Sequence, residues 1–203
     1  MMDEPPWRTL STGRCFVYIL PCREEDTLKM GYARDPWARM QALHPRFHAF
    51  FDLDRAALLE TDRVREARAV EKNLKSAFAM AQVLAPTQIR QRAAGRFEWF
   101  RGIHPQAIAA LEAAGVDLGY PLHAPLSCWL RDQWQQRIER LSDWIEHEYE
   151  QIEAWHFNAD AALVAARERA LRHRLDAWES IGLALEERLG DAVRHWVRYG
   201  FDE

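Results

Sequence analysis

Short apolar runs separated by polar connectors dominate the first part of the chain. Phe16 to Leu20 is a run of aromatic, β-branched and aliphatic residues that stops at Pro21, and Leu28 to Tyr32 is a second short run. Such runs are typical of strands, and the turn-rich connector between them predicts a β-hairpin. Asp35 followed by Pro36 then predicts a helix start, because Asp favours the N-cap position and Pro favours the first helical position.

Beyond this hairpin the apolar spacing becomes helical in two places. Between Arg65 and Met80 apolar residues recur every three or four positions, which predicts an amphipathic helix. Pro105 opens a further helix that is expected to close at Gly115. The order β-β-α-β-α-β-α predicts an α+β domain over residues 14–118, in which helices flank a small mixed sheet. The remaining predicted elements are a helix Pro36–Leu43, a strand Ala56–Glu60 and a strand Phe97–Phe100.

From Leu126 onward the pattern is helical throughout. Apolar residues follow near-heptad spacing as far as Ile152, and a second helical series runs from Asn158 to Gly190. Two helices of about 30 residues joined by a short connector predict an all-α, long antiparallel helical hairpin over residues 119–203. Such a hairpin would leave apolar faces exposed if it stood alone, so we expect it to pack on the first domain or to form a homodimer with another copy.

Composition excludes several classes of protein. Of the 203 residues, 48% are hydrophobic and 29% are charged, which is ordinary for a soluble globular protein. No run approaches the roughly 18 apolar residues of a membrane span, and no signal peptide is recognised, so a cytoplasmic location without membrane attachment is expected. Residues 1–13 are expected to form a flexible tail. Three cysteines without metal-ligand spacing indicate neither a zinc site nor a disulfide framework.

Charge is distributed unevenly between the two halves. Residues 1–102 carry 17 Lys+Arg against 13 Asp+Glu, a balance of +4, whereas residues 103–203 carry 10 against 18, a balance of −8. A basic half suits a polyanionic partner such as nucleic acid, and an acidic half does not. The two halves are therefore expected to have different partners.

Several short motifs in the first half resemble those of the GIY-YIG nuclease family. Phe16–Tyr18 and Lys29–Gly31 stand where that family writes its two name-giving tripeptides, and Arg39 stands on the helix that follows them. Glu71–Phe78 is similar to the helix that carries the family's metal-binding glutamate. Gly95–Phe100 is similar to the closing G-x-x-E-W-F of its bacterial and phage branch. The resemblance covers about residues 14–115 and implies a small GIY-YIG-like sheet domain that cleaves DNA.

The resemblance also implies a role for each of five residues. Tyr18 would act as the general base or would position the attacking water, and Arg39 would contact the scissile phosphate through its guanidinium group. Glu71 would hold a divalent cation, Mg²⁺ or Mn²⁺, which needs few protein ligands. Lys29 replaces the second tyrosine and could bind phosphate, and Lys75 replaces a histidine and could assist the leaving oxygen.

Three functions remain open from the sequence. The first is a metal-dependent DNA endonuclease whose helical region dimerises or regulates it. The second is a catalytically inactive nucleic-acid-binding or regulatory module, because Lys29 and Lys75 replace a phenol and an imidazole. The third is a protein-interaction adaptor that acts through the acidic helices.

Overall fold

The computed structural model describes residues 13–89, 95, 97–156 and 160–201. The chain divides into two compact units, one formed by Thr9–Leu130 and the other containing Arg131–Glu203. Apart from Gly13, the expected tail over residues 1–13 lies outside the described residues. The elements are β1 (Cys15–Pro21), β2 (Thr27–Ala33), α1 (Pro36–Leu43), α2 (Phe47–Phe50), β3 (Ala57–Thr61), α3 (Val64–Ala77), β4 (Gln82–Val83), β5 (Trp99–Arg101), α4 (His104–Leu118), β6 (Leu122–His123), α5 (Leu126–Gln135), α6 (Ile138–His156), α7 (Ala161–Ser180) and α8 (Asp191–Tyr199).

A six-stranded sheet in the order β4-β5-β2-β1-β3-β6 forms the centre of the first unit. The predicted hairpin is present: β1 pairs with β2 so that Tyr18 lies opposite Gly31. Together with the flanking helices, this sheet confirms the α+β class. All the strand pairings in the described part of the chain are antiparallel, where a mixed sheet was expected from the sequence.

The main core of the first unit lies on one face of this sheet. Alternate residues of β1 point to opposite faces, so Val17 and Ile19 face this core and Tyr18 does not. Helix α3 contributes Val70 and Leu74 to the core. Because α3 packs in this way, its Glu71 is held beside the sheet rather than in open solvent.

The end of α4 differs from the expectation. The helix continues through Gly115 to Leu118, and Gly119 ends it with a left-handed φ of 70°. A Cβ at Gly115 would lie 2.9 Å from Leu59 Cδ1, so this glycine allows α4 to approach β3 closely. Strands β4 and β6 were not predicted, because two residues are too few to show a periodic pattern.

Each of the two long helices predicted in the second half is broken. The first is interrupted at Gln136 and Arg137, where the Arg137 N–H donates to the Trp134 carbonyl (2.9 Å) in a tighter turn. The second ends at Ser180, ahead of Gly182 with its φ of 76°, so Gly190 does not end it. The long helical hairpin therefore becomes a set of shorter helices, in which α6 and α7 pack against each other.

Tryptophan rings make up much of the core of the second unit. The Trp178 ring is fully buried and contacts Trp134 and Trp144 edge-on, with centroids 5.3 and 6.1 Å away. These rings stabilise the packing between helices and do not line a groove. Among the described residues, no helix combines the length and apolar character needed to cross a membrane.

Candidate functional site

Tyr18 and Gly31 form a close pair across the hairpin. A Cβ at Gly31 would lie 2.6 Å from Tyr18 Cζ, well inside van der Waals contact. The tyrosine ring thus fills the space that any side chain at position 31 would need. This packing holds the Tyr18 hydroxyl in place, and only 2% of the residue is exposed.

Arg39 reaches the Tyr18 hydroxyl from α1. The helix begins as the sequence predicted, with the Asp35 carboxylate accepting from the Ala38 N–H at 2.9 Å. This cap places Arg39 in the first turn, where its Nε donates to Tyr18 Oη at 3.2 Å. The arginine side chain is 28% exposed, so its guanidinium remains accessible to a ligand.

Lys29 is fully buried and forms an ion pair with Glu98. Its Nζ lies 2.5 Å from Glu98 Oε2 and 5.2 Å from the centre of the Trp99 ring. The same Glu98 oxygen lies 3.9 Å from an Nη of Arg39. Glu98 therefore connects a buried cation to a partly exposed one. Because Lys29 has no exposed surface, it does not reach a ligand directly, contrary to the phosphate contact expected from the sequence.

Glu71 and Lys75 pair one turn apart on α3. Lys75 Nζ donates to Glu71 Oε1 at 2.8 Å, and the side chains are 27% and 10% exposed respectively. Because Val70 and Leu74 pack on the sheet, this pair lies where α3 meets β1 and β2. The ion pair fixes the glutamate and leaves its second carboxylate oxygen for another ligand.

The titration of Tyr18 reflects these neighbours. Burial raises the pKa of Tyr18 to about 12, because the phenolate form loses hydration. The charge of Arg39 and its hydrogen bond oppose this rise in pKa, whereas the negative charges of Glu98 and Glu71 add to it. Tyr18 is therefore a protonated phenol at neutral pH and a weak general base.

The pKa of Lys29 shifts in the opposite direction. Burial lowers its pKa to about 8, and the adjacent Glu98 opposes that fall. The positive charges of Arg39 and Lys75 lower the pKa further, so these groups act on one another electrostatically. Of the five residues predicted from the sequence, Tyr18, Arg39 and Lys29 are therefore connected by contacts, with Glu98 between the two cations. Glu71 and Lys75 form their own pair on α3, and Glu71 acts on Tyr18 and Lys75 on Lys29 through charge. We refer to Tyr18, Lys29, Arg39, Glu71, Lys75 and Glu98 as the charged cluster.

The charged cluster is suited to an anion. It contains three cationic side chains and two carboxylates, which leaves an excess of positive charge next to the Tyr18 hydroxyl donor. A phosphate group fits this combination, because Arg39 can bind phosphate oxygens in a forked geometry and Tyr18 can donate a hydrogen bond.

The carboxylates of the cluster could hold a metal ion that needs few protein ligands. Among the described residues, no three His, Cys, Asp or Glu side chains come together as a metal site. Glu71 offers one carboxylate oxygen beyond its bond to Lys75. Mg²⁺ binds through one or two carboxylates and keeps several waters, so this donor set fits Mg²⁺ and does not suit a metal that needs a full protein cage.

Glu98 is the member of the cluster that the sequence did not predict as a site residue. It lies 69 residues from Lys29 in the chain, and the sheet brings them together by pairing β5 with β2. Gly95, with a φ of 71°, leaves room for the carboxylate, because a Cβ there would overlap Glu98. In the sequence, Glu98 stands out only as an acidic residue that directly precedes the aromatic strand and lies three residues after Gly95.

Comparison with known proteins finds a family model that matches part of the chain. Residues 15–114 match the family model described as the T5orf172 domain, and this stretch contains the whole charged cluster. T5orf172 is a nuclease-like, DNA-binding domain family, which is consistent with a role connected with nucleic acid. No curated protein and no solved structure matches the chain.

This match corrects the family expected from the sequence. T5orf172 is a different domain from GIY-YIG, so the assignment to GIY-YIG was wrong. The tripeptides that suggested it are short, and packing accounts for the pairing of Tyr18 with Gly31. Motifs of this length do not separate one family of small sheet domains from another.

Proposed function

We propose that the first unit is a metal-dependent DNA endonuclease that hydrolyses a phosphodiester bond. The observation that carries the proposal is the charged cluster, in which Arg39 donates to the Tyr18 hydroxyl and shares Glu98 with Lys29. The Glu71–Lys75 pair of α3 acts on Tyr18 and Lys29 through its charges. Hydrolysis of a phosphodiester needs positive charge at the phosphorus centre, a positioned water and stabilisation of the leaving oxygen. Each requirement has a candidate group here.

Arg39 is proposed to bind the phosphate that is cut. Tyr18 and Glu98 hold its guanidinium, so its position is set before the ligand arrives. Tyr18 accepts from Arg39 and keeps its own proton, which it can donate to a phosphate oxygen or to the attacking water. With a pKa of about 12, its proposed role is positioning, not proton abstraction.

Glu71 is proposed to hold Mg²⁺ or Mn²⁺. When bound, such an ion would supply positive charge at the phosphate and lower the pKa of water. Lys75 keeps the Glu71 carboxylate in place and presents an ammonium group to the leaving oxygen. In the overall reaction the oxygen of a water bonds to phosphorus, one P–O ester bond breaks, and the leaving oxygen takes up a proton.

The raised pKa of Tyr18 favours a second candidate function. A buried, protonated phenol beside Arg39 can bind a phosphate oxygen without promoting hydrolysis. The same cluster could then hold nucleic acid in a module that does not cut. This candidate shares the proposed role of Arg39 in phosphate binding and differs only in whether a bond is broken.

Plasmid nicking separates the two candidates. Purified protein is incubated with supercoiled DNA and Mg²⁺ or Mn²⁺, beside Glu71→Gln and a control variant, Glu112→Gln, that removes an exposed carboxylate from α4. We expect nicking by the wild type and the control, and a rate at least about 100-fold lower for Glu71→Gln. Equal nicking by all three proteins, or none by any, would sink the nuclease proposal. DNA retention without nicking would favour the binding module.

We also propose that the helices of the second unit mediate a homodimer. Two large apolar residues of these helices, Leu163 on α7 and Tyr199 on α8, are 44% and 73% exposed. A two-fold dimer would give the protein two cutting sites, one for each DNA strand. Sedimentation of the wild type and of Leu163→Glu tests this. We expect dimers from the first and a larger monomer fraction from the second, and a wild-type monomer at every concentration would refute it.

A further inference from the structure

Three large apolar side chains on the segments that flank β4 and precede β5 are exposed to solvent. Met80, Leu84 and Phe97 are 99%, 92% and 55% exposed. Single exposed apolar residues are common, but several on neighbouring segments mark a surface that binds something. We call these three residues the apolar rim.

The apolar rim lies at the edge of the sheet where the cluster is built. Val83 of β4 is opposite Trp99 of β5, so Leu84 continues this strand toward Glu98. Phe97 directly precedes Glu98 in the chain. Met80 lies in the short 3₁₀ turn Ala79–Ala81 that connects α3 to β4. Leu84 and Phe97 therefore lie near Glu98 along the two paired strands, and Met80 follows Lys75 in the turn after α3.

We propose that the apolar rim contacts the bases of a DNA strand whose phosphate lies in the charged cluster, and that the preferred substrate is DNA with unpaired bases at that point. This inference rests on the proposed function, because it takes the cluster to be a phosphate site. The excess of positive charge beside the rim selects a polyanion over an apolar protein surface.

The chemistry of the three side chains explains why DNA bases are the groups proposed to contact the rim. Phe, Leu and Met are side chains that proteins insert between base steps or stack against bases. Unstacking a base costs a few kcal/mol in intact duplex and least where the base is unpaired. Apolar side chains beside a phosphate site therefore favour bulged, mismatched or branched DNA over fully paired DNA.

The test measures binding without cleavage. Fluorescence anisotropy in a metal-free buffer compares a short labelled duplex with the same duplex carrying a central bulge. The proteins are the wild type, the triple variant Met80→Ser/Leu84→Ser/Phe97→Ser, and a control, Val116→Ser/Leu118→Ser, that removes two exposed apolar residues from α4. Because the substituted side chains are exposed, each variant is expected to fold. A 2-aminopurine base in the bulge reports unstacking by its fluorescence.

The expected results are specific to the rim. Wild type and control should bind the bulged duplex about tenfold or more tightly than the intact one and raise the 2-aminopurine signal. The triple variant should lose this preference and keep its affinity for intact duplex. An unchanged preference in the triple variant would overturn the inference, as would a wild type that does not discriminate. Self-association of the wild type that the triple variant abolishes would also overturn the inference, because the rim would then bind a second copy of the protein.

Failure of this inference is distinguishable from failure of the proposed function. Arg39→Gln in the same assay should weaken binding to both duplexes, because it removes the phosphate contact. If Arg39→Gln binds like the wild type, the phosphate site is refuted whatever the rim does. If Arg39→Gln weakens binding but the triple variant behaves like the wild type, only the inference about the rim fails.

Discussion

Replacing Lys29 with Met tests how the buried ammonium group affects the stability of the fold and, separately, the rate of DNA cleavage. Met has a similar length and no charge, so the variant keeps the packing in the interior and removes a fully buried ammonium group. Glu98 then loses its partner, but its side chain is 23% exposed and still lies 3.9 Å from Arg39. We expect Lys29→Met to be at least as stable as the wild type at neutral pH. We also expect it to cut DNA more slowly, because Lys29 no longer fixes the Glu98 carboxylate that supports Arg39.

The size of the stability effect follows from the pKa of Lys29. A fall from 10.5 to about 8 on folding corresponds to about 3 kcal/mol of destabilisation while the lysine is protonated in both states. At a pH between these two pKa values, Lys29 has lost its proton in the folded protein but keeps it in the unfolded chain. Raising the pH through this window therefore stabilises the wild type relative to Lys29→Met. The destabilisation is fully present below pH 8 and gone above pH 10.5.

Urea unfolding at a series of pH values, followed by tryptophan fluorescence, measures this difference. The free energy of unfolding of the wild type minus that of Lys29→Met should rise by about 3 kcal/mol from pH 7 to pH 10.5. Lys72→Met, on the exposed side of α3, is the control for removing a lysine. A difference that stays flat across the window would refute the account of Lys29 as a desolvated cation.

Two further variants test the pairing of Tyr18 with Gly31. Gly31→Ala should destabilise the fold by roughly 1–3 kcal/mol in urea unfolding, because the new Cβ overlaps the Tyr18 ring, and should lower nicking. Tyr18→Phe should cost about 1 kcal/mol through the lost bond from Arg39. Because the pKa of Tyr18 is raised from 10.0 to about 12, the wild type should also lose stability relative to Tyr18→Phe as the pH rises from 10 to 12.

Each of these two variants has its own control. The double variant Gly31→Ala/Tyr18→Ala removes the ring that the new Cβ would meet, so the cost of Gly31→Ala should largely disappear in that background. An equal cost in both backgrounds would show that the clash is not its cause. For Tyr18→Phe, parallel stability curves of variant and wild type above pH 10 would contradict the burial of the phenol.

The sequence predicts local elements better than long-range contacts. The hairpin and α1 were predicted correctly, because apolar runs, an Asp N-cap and a Pro at the first helical position act within a few residues. Glu98 was missed because its importance depends on Lys29, which is far away in the chain. The break at Arg137 was missed for another reason: the apolar spacing continues through it, and only the backbone hydrogen bonds tighten there.

The five candidate site residues show the same contrast between what local sequence predicts and what depends on long-range contacts. The order of motifs predicted one site with Tyr18, Arg39 and Glu71; Tyr18 and Arg39 are in contact, and Glu71 pairs with Lys75 on α3. Periodicity could not show that Lys29 is buried, since a lysine in a strand is ordinarily expected to reach solvent. The family assignment went wrong at the scale of short motifs, although the general connection with nucleic acid agrees with the matched family.

The pairing of β5 with β2 has a consequence for how the protein is made. Lys29 and Glu98 are 69 residues apart, so the first hairpin and α1 can form on the ribosome long before Glu98 has been synthesised. Contacts of high sequence separation form late, because the intervening loop must first be closed. Until then Lys29 lacks its carboxylate and Arg39 lacks one of its two supports. The nascent chain therefore carries an incomplete site, and a competent one arises only when the sheet closes at this edge.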